Sequence, residues 1–390
     1  MKCVINAKIH DGIHREPFMG NVWIDGGKFV KISKDEDANG NNAQDPSVEW
    51  IDAGGLDLYP GFVDAHSHIG MDGYGIGYEG MDYNEMNDIA CPQLRGLDGV
   101  KAMDPAFEMA VQAGVTSVCT GPGSANVLGG TFTTIKTVGK CVEDMIIRPQ
   151  VAMKCAFGEN PKRVYKDKGN SSRMSTAAKL REMLFKARDY MNRKEAAGHD
   201  VSKYPAFDMK MEALIPVLKG EMPLKAHAHA SDDIFTALRI AREFNVKLTL
   251  EHVTEGHLIA EKLACERDVP MAVGPSLTNA SKFELRNKSF TTPGILAQAG
   301  CQVSIITDAP VIPQQYLPLC AGLAVKSGMD PFAALQAITI NAAKHAQIGD
   351  RVGSVEVGKD ADFSLFKGSP FDVSGEAAAV YINGKKVFGL

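Results

Sequence analysis

The chain has 390 residues, 45% of them apolar, and a formal net charge of −5. This length accommodates a barrel of about 250 residues and a small accessory domain. The weak charge and the lack of a block dense in lysine and arginine argue against nucleic acid or an anionic membrane as a partner. No apolar run approaches the ~18 residues of a membrane span. Eight scattered cysteines without a Cys-x-x-Cys pair argue against a zinc knuckle or disulfide framework. With no signal-peptide pattern at the N-terminus, they predict a cytoplasmic protein.

The first and last segments of the chain have the short alternating pattern of β-strands. Residues 1–58 contain such runs at Val4–Ile9, Asn21–Asp25 and Phe29–Ile32. Gly26-Gly27 predicts a hairpin between the last two runs, and the polar stretch 34–47 predicts a loop. Residues 353–390 return to the same pattern, with a hairpin signal at Asn383-Gly384. The two ends are therefore expected to form one small β-sandwich domain.

Residues 59–352 alternate apolar strand-like runs with amphipathic helical patterns. The predicted strands are Gly61–His68, Val115–Thr120, Pro149–Phe157, Leu224–His229, Leu248–His252, Val269–Val273 and Val303–Thr307. The predicted helices are Asp104–Ala113, Thr176–Ala197, Ala230–Phe244, Gly256–Glu266 and Pro331–Ala343. This alternation indicates parallel βαβ units and predicts a (β/α)₈ TIM-like barrel. One strand is hard to place and is expected near Asp208–Lys210 or Thr133–Ile135.

Histidine and aspartate recur where the predicted barrel strands end. The residues at these positions are His66, His68, His227, His229, His252 and Asp308. In each His-x-His pair, both imidazoles project from one face of the strand. Because active sites of such barrels lie at the C-terminal ends of the strands, these side chains are expected to meet. Imidazole and carboxylate are suitable ligands for zinc or a similar divalent ion, so the sequence predicts a metal site there.

These residues resemble the amidohydrolase superfamily of metal-dependent hydrolases, in its imidazolonepropionase, adenine deaminase and prolidase-like branch. The similar motifs are Gly-Phe-Val-Asp-Ala-His-Ser-His at 61–68, Thr-Asp-Ala-Pro at 307–310 and Gly-Ser-Val-Glu-Val-Gly-Lys-Asp-Ala-Asp-Phe at 353–363. The resemblance spans nearly the whole chain. It implies hydrolysis of a carbon–nitrogen bond with one or two divalent ions, above all zinc, in each chain. The metal ligands that it implies are His66, His68, His227, His252 and Asp308.

A two-metal site also needs a ligand that bridges the ions, and the resemblance offers two. Many relatives use a carboxylated lysine from the fourth strand, which here is Lys154. Relatives similar to adenine deaminases use a glutamate at the end of that strand, which here is Glu159. Because Glu159 lies level with the other ligands in the sequence pattern, it is the favoured bridge and Lys154 is the alternative.

His227 and His229 compete for one ligand position. Relatives with His-Ala-His at this place generally use the first histidine, which leaves His229 to face the substrate. Adenosine and cytosine deaminases place a glutamate three residues after the ligand, where this chain has Ala230; from His229, the corresponding residue is Asp232. The missing glutamate argues against deamination of a small heterocycle, but Glu159, which resembles the adenine deaminase ligand, keeps that reaction as the alternative. A non-catalytic binding or assembly protein is a minor alternative, because every expected ligand type is present.

The expected mechanism uses a water activated by the metal. A bound divalent ion lowers the pKa of water from ~15.7 towards ~7. Asp308 is expected to act as general base and then acid, while the metal and His229 polarise the scissile carbonyl.

The expected substrate is a small amide, a cyclic amide or an N-acylated amino acid or dipeptide. Arg163, Tyr165 and Arg173 follow the fourth strand and are predicted to bind a substrate carboxylate. Barrel hydrolases often associate, so a homo-oligomer is an expected option.

Overall fold

The computed structural model describes residues 1–34, 45–74 and 77–389. Its strands are β1 (Lys2–Ile9), β2 (Phe18–Asp25), β3 (Lys28–Lys34), β4 (Glu49–Asp52), β5 (Asp57–Pro60), β6 (Phe62–Ser67), β7 (Val115–Thr120), β8 (Leu128–Lys136), β9 (Ile146–Ala156), β10 (Leu224–Ala228), β11 (Leu248–His252), β12 (Met271–Val273), β13 (Val303–Ile305), β14 (Phe363–Lys367), β15 (Glu376–Ile382) and β16 (Lys385–Gly389). Its α-helices are α1 (Pro105–Gln112), α2 (Val142–Met145), α3 (Glu159–Val164), α4 (Arg173–Ala197), α5 (Met209–Leu218), α6 (Ser231–Phe244), α7 (Ala260–Leu263), α8 (Thr292–Gln298), α9 (Leu317–Lys326), α10 (Pro331–Ala337) and α11 (Ile340–His345).

Eight strands form a nearly closed barrel in the order β6-β7-β8-β9-β10-β11-β12-β13. Neighbours pair in parallel, except that β8 runs antiparallel to both β7 and β9. Two backbone hydrogen bonds connect the last strand to the first. The Asp308 N–H donates to His66 O at 3.2 Å, and the His68 N–H donates to Ala309 O at 2.7 Å. The predicted barrel is therefore present in outline, with an antiparallel hairpin in place of its third parallel strand.

Burial on both faces explains why the barrel strands are rich in apolar and small residues. Every residue of β6, β7 and β10 is buried. On the outside of the barrel, α6 packs Ile234 and Leu238 into the same core as Leu224 and Leu250. Burying each such aliphatic side chain contributes about 1.5–3 kcal/mol, which fixes the helices against the strands.

The two ends of the chain share a second sheet, in the order β16-β15-β14-β5-β1-β2-β3, with β4 also paired to β1. Strand β5 joins the two ends, because it runs parallel to β1 and antiparallel to β14. The hairpins predicted at Gly26-Gly27 and Asn383-Gly384 connect β2 to β3 and β15 to β16. A two-layer sandwich, and domain boundaries after residues 58 and 352, stay predictions.

Three expectations about individual elements need correction. The strand that was hard to place is β8, which contains Thr133–Ile135, whereas Asp208–Lys210 lies at the start of α5. Two expected helices are divided. The helix expected over residues 256–266 is a 3₁₀ turn at Gly256–Leu258 followed by α7, and the helix expected over residues 331–343 is α10 and α11, because the backbone of Thr339 is not helical. Most of the loop predicted at 34–47 lies outside the described residues. None of the helices described here is long and apolar enough to cross a membrane.

Candidate metal centre

Two groups of potential metal ligands lie at the carboxyl ends of the barrel strands. They consist of His66, His68 and Asp308 in the first group and His227, His229 and His252 in the second. Within each group, the ligand atoms lie within 4.8 Å of one another. All six are strand-end residues singled out in the sequence, and the fold brings them together in these two groups.

In the first group, β6 presents two imidazoles to a carboxylate that follows β13. His66 Nε2 and His68 Nε2 lie 3.5 and 3.2 Å from Asp308 Oδ1. On the other side of the rings, His66 Nδ1 donates to Glu251 Oε2 at 2.9 Å and His68 Nδ1 donates to Gly121 O at 2.7 Å. Since each Nδ1 faces an acceptor, the ring proton of a neutral imidazole lies on Nδ1 and its Nε2 presents a lone pair to Asp308.

Local backbone geometry makes this first group possible. A Cβ atom on Gly121 would lie 2.5 Å from the Phe132 ring, so glycine is needed for the carbonyl to reach His68. Asp308 has a φ of 55°, in the left-handed region that aspartate tolerates better than most residues. The position of His68 therefore depends on a glycine that permits close packing against Phe132. The position of Asp308 depends on a residue type that tolerates a positive φ.

Asp64 connects the first and last strands of the barrel beneath the same group. Its Oδ1 accepts the backbone N–H of His66 at 3.1 Å. Its Oδ2 accepts the Thr307 hydroxyl at 2.6 Å and the Gln314 amide at 2.6 Å. Burial raises the pKa of Asp64 to about 6 despite these hydrogen bonds. Asp64 thus holds the backbone on either side of the metal ligands.

The second group consists of three imidazoles from β10, β11 and the adjoining turn. The ring centroids of His227 and His252 lie 4.4 Å apart, and those of His229 and His252 lie 4.5 Å apart. His252 Nδ1 donates to Gly274 O at 2.8 Å, and His229 Nδ1 pairs with Thr254 Oγ1 at 2.7 Å. Neither ring nitrogen of His227 has a hydrogen-bond partner in the described parts of the chain. Burial lowers the pKa of all three imidazoles well below the usual value, so they are neutral at pH 7.

In the first group, Asp308 Oδ1 and the Nε2 atoms of His66 and His68 face one another as hydrogen-bond acceptors, with no proton between them. Asp308 Oδ1 has no hydrogen-bond partner within residues 1–34, 45–74 and 77–389. Burial opposes ionisation of Asp308, but nearby groups, Lys154 among them, outweigh it and lower the pKa of the carboxyl group. A carboxylate beside imidazole lone pairs is unfavourable in a buried site unless a cation lies between them. The donor set therefore fits a divalent metal ion.

Lys154 projects from β9 into the barrel interior beside the first group. Its side chain is fully buried, and its Nζ lies 3.3 Å from His66 Nε2. Burial lowers the pKa of Lys154 from 10.5 to about 8, although Glu251 and Asp308 oppose the shift. An amine with a lowered pKa is more readily deprotonated near neutral pH than an ordinary lysine.

Glu159, the favoured bridge of the sequence analysis, lies outside both ligand groups of the described residues. The backbone turns at Gly158, where φ is 79°, and Glu159 becomes the first residue of α3. Its backbone N–H donates to Glu284 Oε2 at 2.9 Å. The local turn thus takes Glu159 into a helix, while Lys154 stays beside the histidines.

The three residues expected to bind a substrate carboxylate have other surroundings. Tyr165 is buried, and its hydroxyl donates to Glu85 O at 2.9 Å, so it anchors the segment between β6 and α1. Arg173 Nε donates to both carboxylate oxygens of Asp233, at 2.9 and 3.0 Å. Arg163 is exposed at the end of α3. The fold does not bring these three side chains together at the ligand groups.

The sequence analysis does not select Glu251, whose carboxylate supports the first group. Glu251 pairs with His227 in the register of β10 and β11, so strand alternation places both on the interior face. His252 follows at the strand end with a φ of 75°, which redirects its side chain. The alternation was available from the sequence, but the distortion at His252 was not.

An eight-strand barrel with His-x-His on its first strand, histidines at the fifth and sixth and an aspartate after the eighth defines a metal-dependent hydrolase architecture. A family model described as "Amidohydrolase family" matches residues 58–387. The chain belongs to the amidohydrolase family.

Three relatives show how far this similarity extends. The crystal structure of an amidohydrolase from Thermotoga maritima is 40% identical, covers 100% of both chains and has a TM-score of 0.94. Amidohydrolase tasK of Hapsidospora irregularis is 28% identical over 95% of this chain, but this chain spans only 40% of its length. Imidazolonepropionase of Symbiobacterium thermophilum is 25% identical over 86% of this chain and 81% of its own. These similarities indicate a hydrolase that acts on carbon–nitrogen bonds.

Proposed function

We propose that this protein is a divalent-metal-dependent hydrolase that cleaves the carbon–nitrogen bond of a small amide, a cyclic amide or an N-acylated amino acid or dipeptide. The observation that carries the proposal is the position of Asp308. Its Oδ1 lies 3.2 Å from His68 Nε2 and has no hydrogen-bond partner among the described residues. A buried carboxylate in this position is suited both to hold a cation and to receive a proton.

The metal would be held by residues of both groups, namely His66, His68, His227, His252 and Asp308. Zinc matches this set of nitrogen and oxygen donors, and one or two ions per chain are expected. When bound, the ion lowers the pKa of a water molecule from ~15.7 towards ~7 and polarises a carbonyl group.

Asp308 performs the proton transfers of the reaction. Its lowered pKa keeps it ionised at neutral pH, so it accepts a proton from the attacking water. The carbon–oxygen bond forms as the carbon–nitrogen bond breaks, and Asp308 delivers the same proton to the leaving nitrogen. His229, held by Thr254, is assigned to polarise the scissile carbonyl.

We assign the bridging position to Lys154 rather than Glu159. The neutral amine of Lys154 adds to carbon dioxide and loses a proton, which gives a carbamate with two oxygen donors. The pKa of about 8 supports this assignment, because it makes the neutral amine accessible near physiological pH. The 3.3 Å distance from Lys154 Nζ to His66 Nε2 also supports it.

Within the proposed class, a cyclic amide is the favoured substrate. Several curated relatives are imidazolonepropionases, a name that refers to a ring compound. Arg163, Tyr165 and Arg173 give no support to a carboxylate clamp, because Tyr165 and Arg173 are committed to other partners. The proposed substrate class therefore depends on the carbon–nitrogen bond that is cleaved, and not on recognition of a substrate carboxylate.

The test combines metal analysis with an activity screen. Protein purified without added metal is analysed for metal content beside Lys154→Ala and Glu159→Ala, and is then screened against amides, lactams, N-acylated amino acids and heterocyclic amines. We expect about two ions per chain, fewer in Lys154→Ala and no change in Glu159→Ala. Turnover of amides or lactams is expected. Turnover of amines alone would replace hydrolysis with deamination, and metal-free protein with full activity would overturn the proposal.

A further inference from the structure

A buried glutamate outside the two ligand groups faces the second of them. Glu284 lies in a short 3₁₀ turn after β12, at Phe283–Leu285. Glu284 is 1% exposed, whereas its neighbour Phe283 is 71% exposed. A buried acid beside an exposed aromatic ring reverses the usual preference of the two residue types. The contacts of Glu284, rather than burial of Phe283, therefore determine how this turn is oriented.

The two carboxylate oxygens of Glu284 have different surroundings. Oε2 accepts the backbone N–H of Glu159 at 2.9 Å. Oε1 accepts a hydrogen bond from Lys282 Nζ at 3.1 Å. Oε1 also lies 3.7 Å from His227 Nε2 and 3.9 Å from His229 Nε2. The last two distances are too long for hydrogen bonds. Because a carboxylate oxygen has two lone pairs, Lys282 leaves one of them for another partner.

The charges around Glu284 identify that partner as a cation. Neither ring nitrogen of His227 has a hydrogen-bond partner in the described parts of the chain, so its Nε2 is free to present a lone pair to Glu284 Oε1. Lys282 contacts the carboxylate oxygen itself, and a buried carboxylate oxygen that faces an imidazole lone pair also favours a cation between those two atoms. Metal–ligand bonds of ~2.0–2.2 Å place neighbouring donor atoms of one tetrahedral ion ~3.3–3.5 Å apart, close to the 3.7 Å between Glu284 Oε1 and His227 Nε2.

We propose that Glu284 is an additional ligand of the second metal position, where it joins His227 and His252. Lys282 and the Glu159 N–H hold its carboxylate in place. The backbone at Gly158 approaches closely, because a Cβ atom there would lie 2.5 Å from Glu284 Oε2. This inference rests on the proposed function, since it requires a divalent ion at the carboxyl ends of the strands.

The test compares metal binding by Glu284→Gln and by the matched control Glu255→Gln. Glutamine at position 284 keeps an oxygen for the Glu159 N–H but removes the charge. Glu255 is also a buried glutamate, but its carboxylate accepts hydrogen bonds from the Ser231 N–H at 2.8 Å and the Asn287 amide at 2.8 Å. After metal is stripped with a chelator, zinc affinity is measured by competition with a chromophoric chelator. Cobalt(II) absorption then reports the set of ligands.

We expect Glu284→Gln to bind one class of zinc ions at least ~10-fold more weakly than Glu255→Gln, and to change the cobalt spectrum. A smaller loss, or an unchanged spectrum, would limit Glu284 to anchoring the loop before α3. If Glu284→Gln does not fold, Glu284→Asp is judged by the same criteria, because it keeps the charge but withdraws the oxygens by one methylene group. Wild-type protein that takes up no divalent ion would overturn the proposed function itself. Normal uptake by wild type and by the variant would overturn only the assignment of Glu284.

Discussion

Glu251 Oε2 lies 2.9 Å from His66 Nδ1, and both side chains are fully buried. The same oxygen lies 2.9 Å from Lys225 Nζ, while Oε1 lies 2.8 Å from His345 Nε2. Burial alone would raise the pKa of Glu251, but His345 and Lys225 outweigh it and hold the pKa well below its usual value. The ionised carboxylate therefore keeps the His66 proton on Nδ1 and leaves Nε2 free to bind metal.

Glu251→Gln is expected to weaken metal binding by the first ligand group ~10–100-fold. It also leaves Lys225 without its buried counter-charge, so the free energy of unfolding of metal-free protein should fall by about 3–5 kcal/mol. Zinc competition and urea unfolding measure the two effects. The control is Thr249→Val, which removes only a hydroxyl that donates to Glu251 Oε1 at 2.7 Å. Equal losses of metal affinity in the two variants would contradict the positioning role of Glu251.

The sequence predicted most of the barrel but not the direction of its third strand. Alternation of strand and helix identified seven strands, because each is followed by enough chain to return in parallel. Residues 121–130 are glycine-rich. This composition is compatible with a loop that contacts a ligand and equally with the turn of a β-hairpin. The structure uses these residues to bring β8 back antiparallel to β7. A buried strand has the same composition in either direction, so residue pattern alone does not distinguish the two.

The candidate ligands were predictable because barrel topology brings strand ends to one face. The proposed bridge was harder to predict, since position along a strand does not give the direction of a side chain at the strand end. Glu159 is level with the other ligands in sequence, but the turn at Gly158 directs it into α3. Lys154 lies earlier in the chain, within β9, yet its long side chain brings Nζ within 3.3 Å of His66 Nε2. Barrel stagger and local turns determine these outcomes, and a single sequence does not specify them.

Asp308→Asn is expected to lower turnover by ~10²–10⁴-fold, because an amide cannot accept the proton of the attacking water. Asparagine tolerates the left-handed backbone of Asp308, so the variant should fold normally. Because loss of the charge weakens the hold on the metal, turnover is measured with zinc added until the variant matches the metal content of wild type. Steady-state kinetics and elemental analysis measure the two quantities. Asp232→Asn is the matched control, because Asp232 is an exposed acid at the start of α6. Retained metal with near wild-type turnover would remove Asp308 from the role of general base.

Asp64→Asn is expected to reduce the free energy of unfolding by about 1–3 kcal/mol. The Oδ2 atom of Asp64 accepts hydrogen bonds from the Thr307 hydroxyl and the Gln314 amide, and an asparagine has one acceptor oxygen for all the donors that Asp64 satisfies. Urea unfolding of metal-free protein measures the loss. Gln314→Leu is the control, since it removes one donor and leaves the others in place. An Asp64→Asn variant no less stable than Gln314→Leu would contradict a central structural role for this carboxylate.

Lys154 gives the stability of the metal-free protein a defined pH dependence. Burial lowers its pKa from 10.5 to about 8. Between these values the unfolded chain binds the Lys154 proton more tightly than the folded chain, so this residue makes stability rise with pH across that window. Below pH 8 the folded protein carries the full cost of burying the Lys154 ammonium, which lowers the free energy of unfolding by about 3 kcal/mol.

Lys154→Met is therefore expected to be more stable than wild type at about pH 7, with a difference that shrinks towards about pH 10. Urea unfolding of chelator-treated protein at both pH values measures the difference, and groups common to both proteins cancel. Lys225→Met provides a contrast, because it removes the cation 2.9 Å from Glu251 and should lower stability at neutral pH. A Lys154→Met variant that is less stable than wild type at about pH 7 would show that the buried ammonium is compensated by its neighbours. The pKa of Lys154 would then lie closer to 10.5, and the neutral amine that reacts with carbon dioxide would be much scarcer near neutral pH.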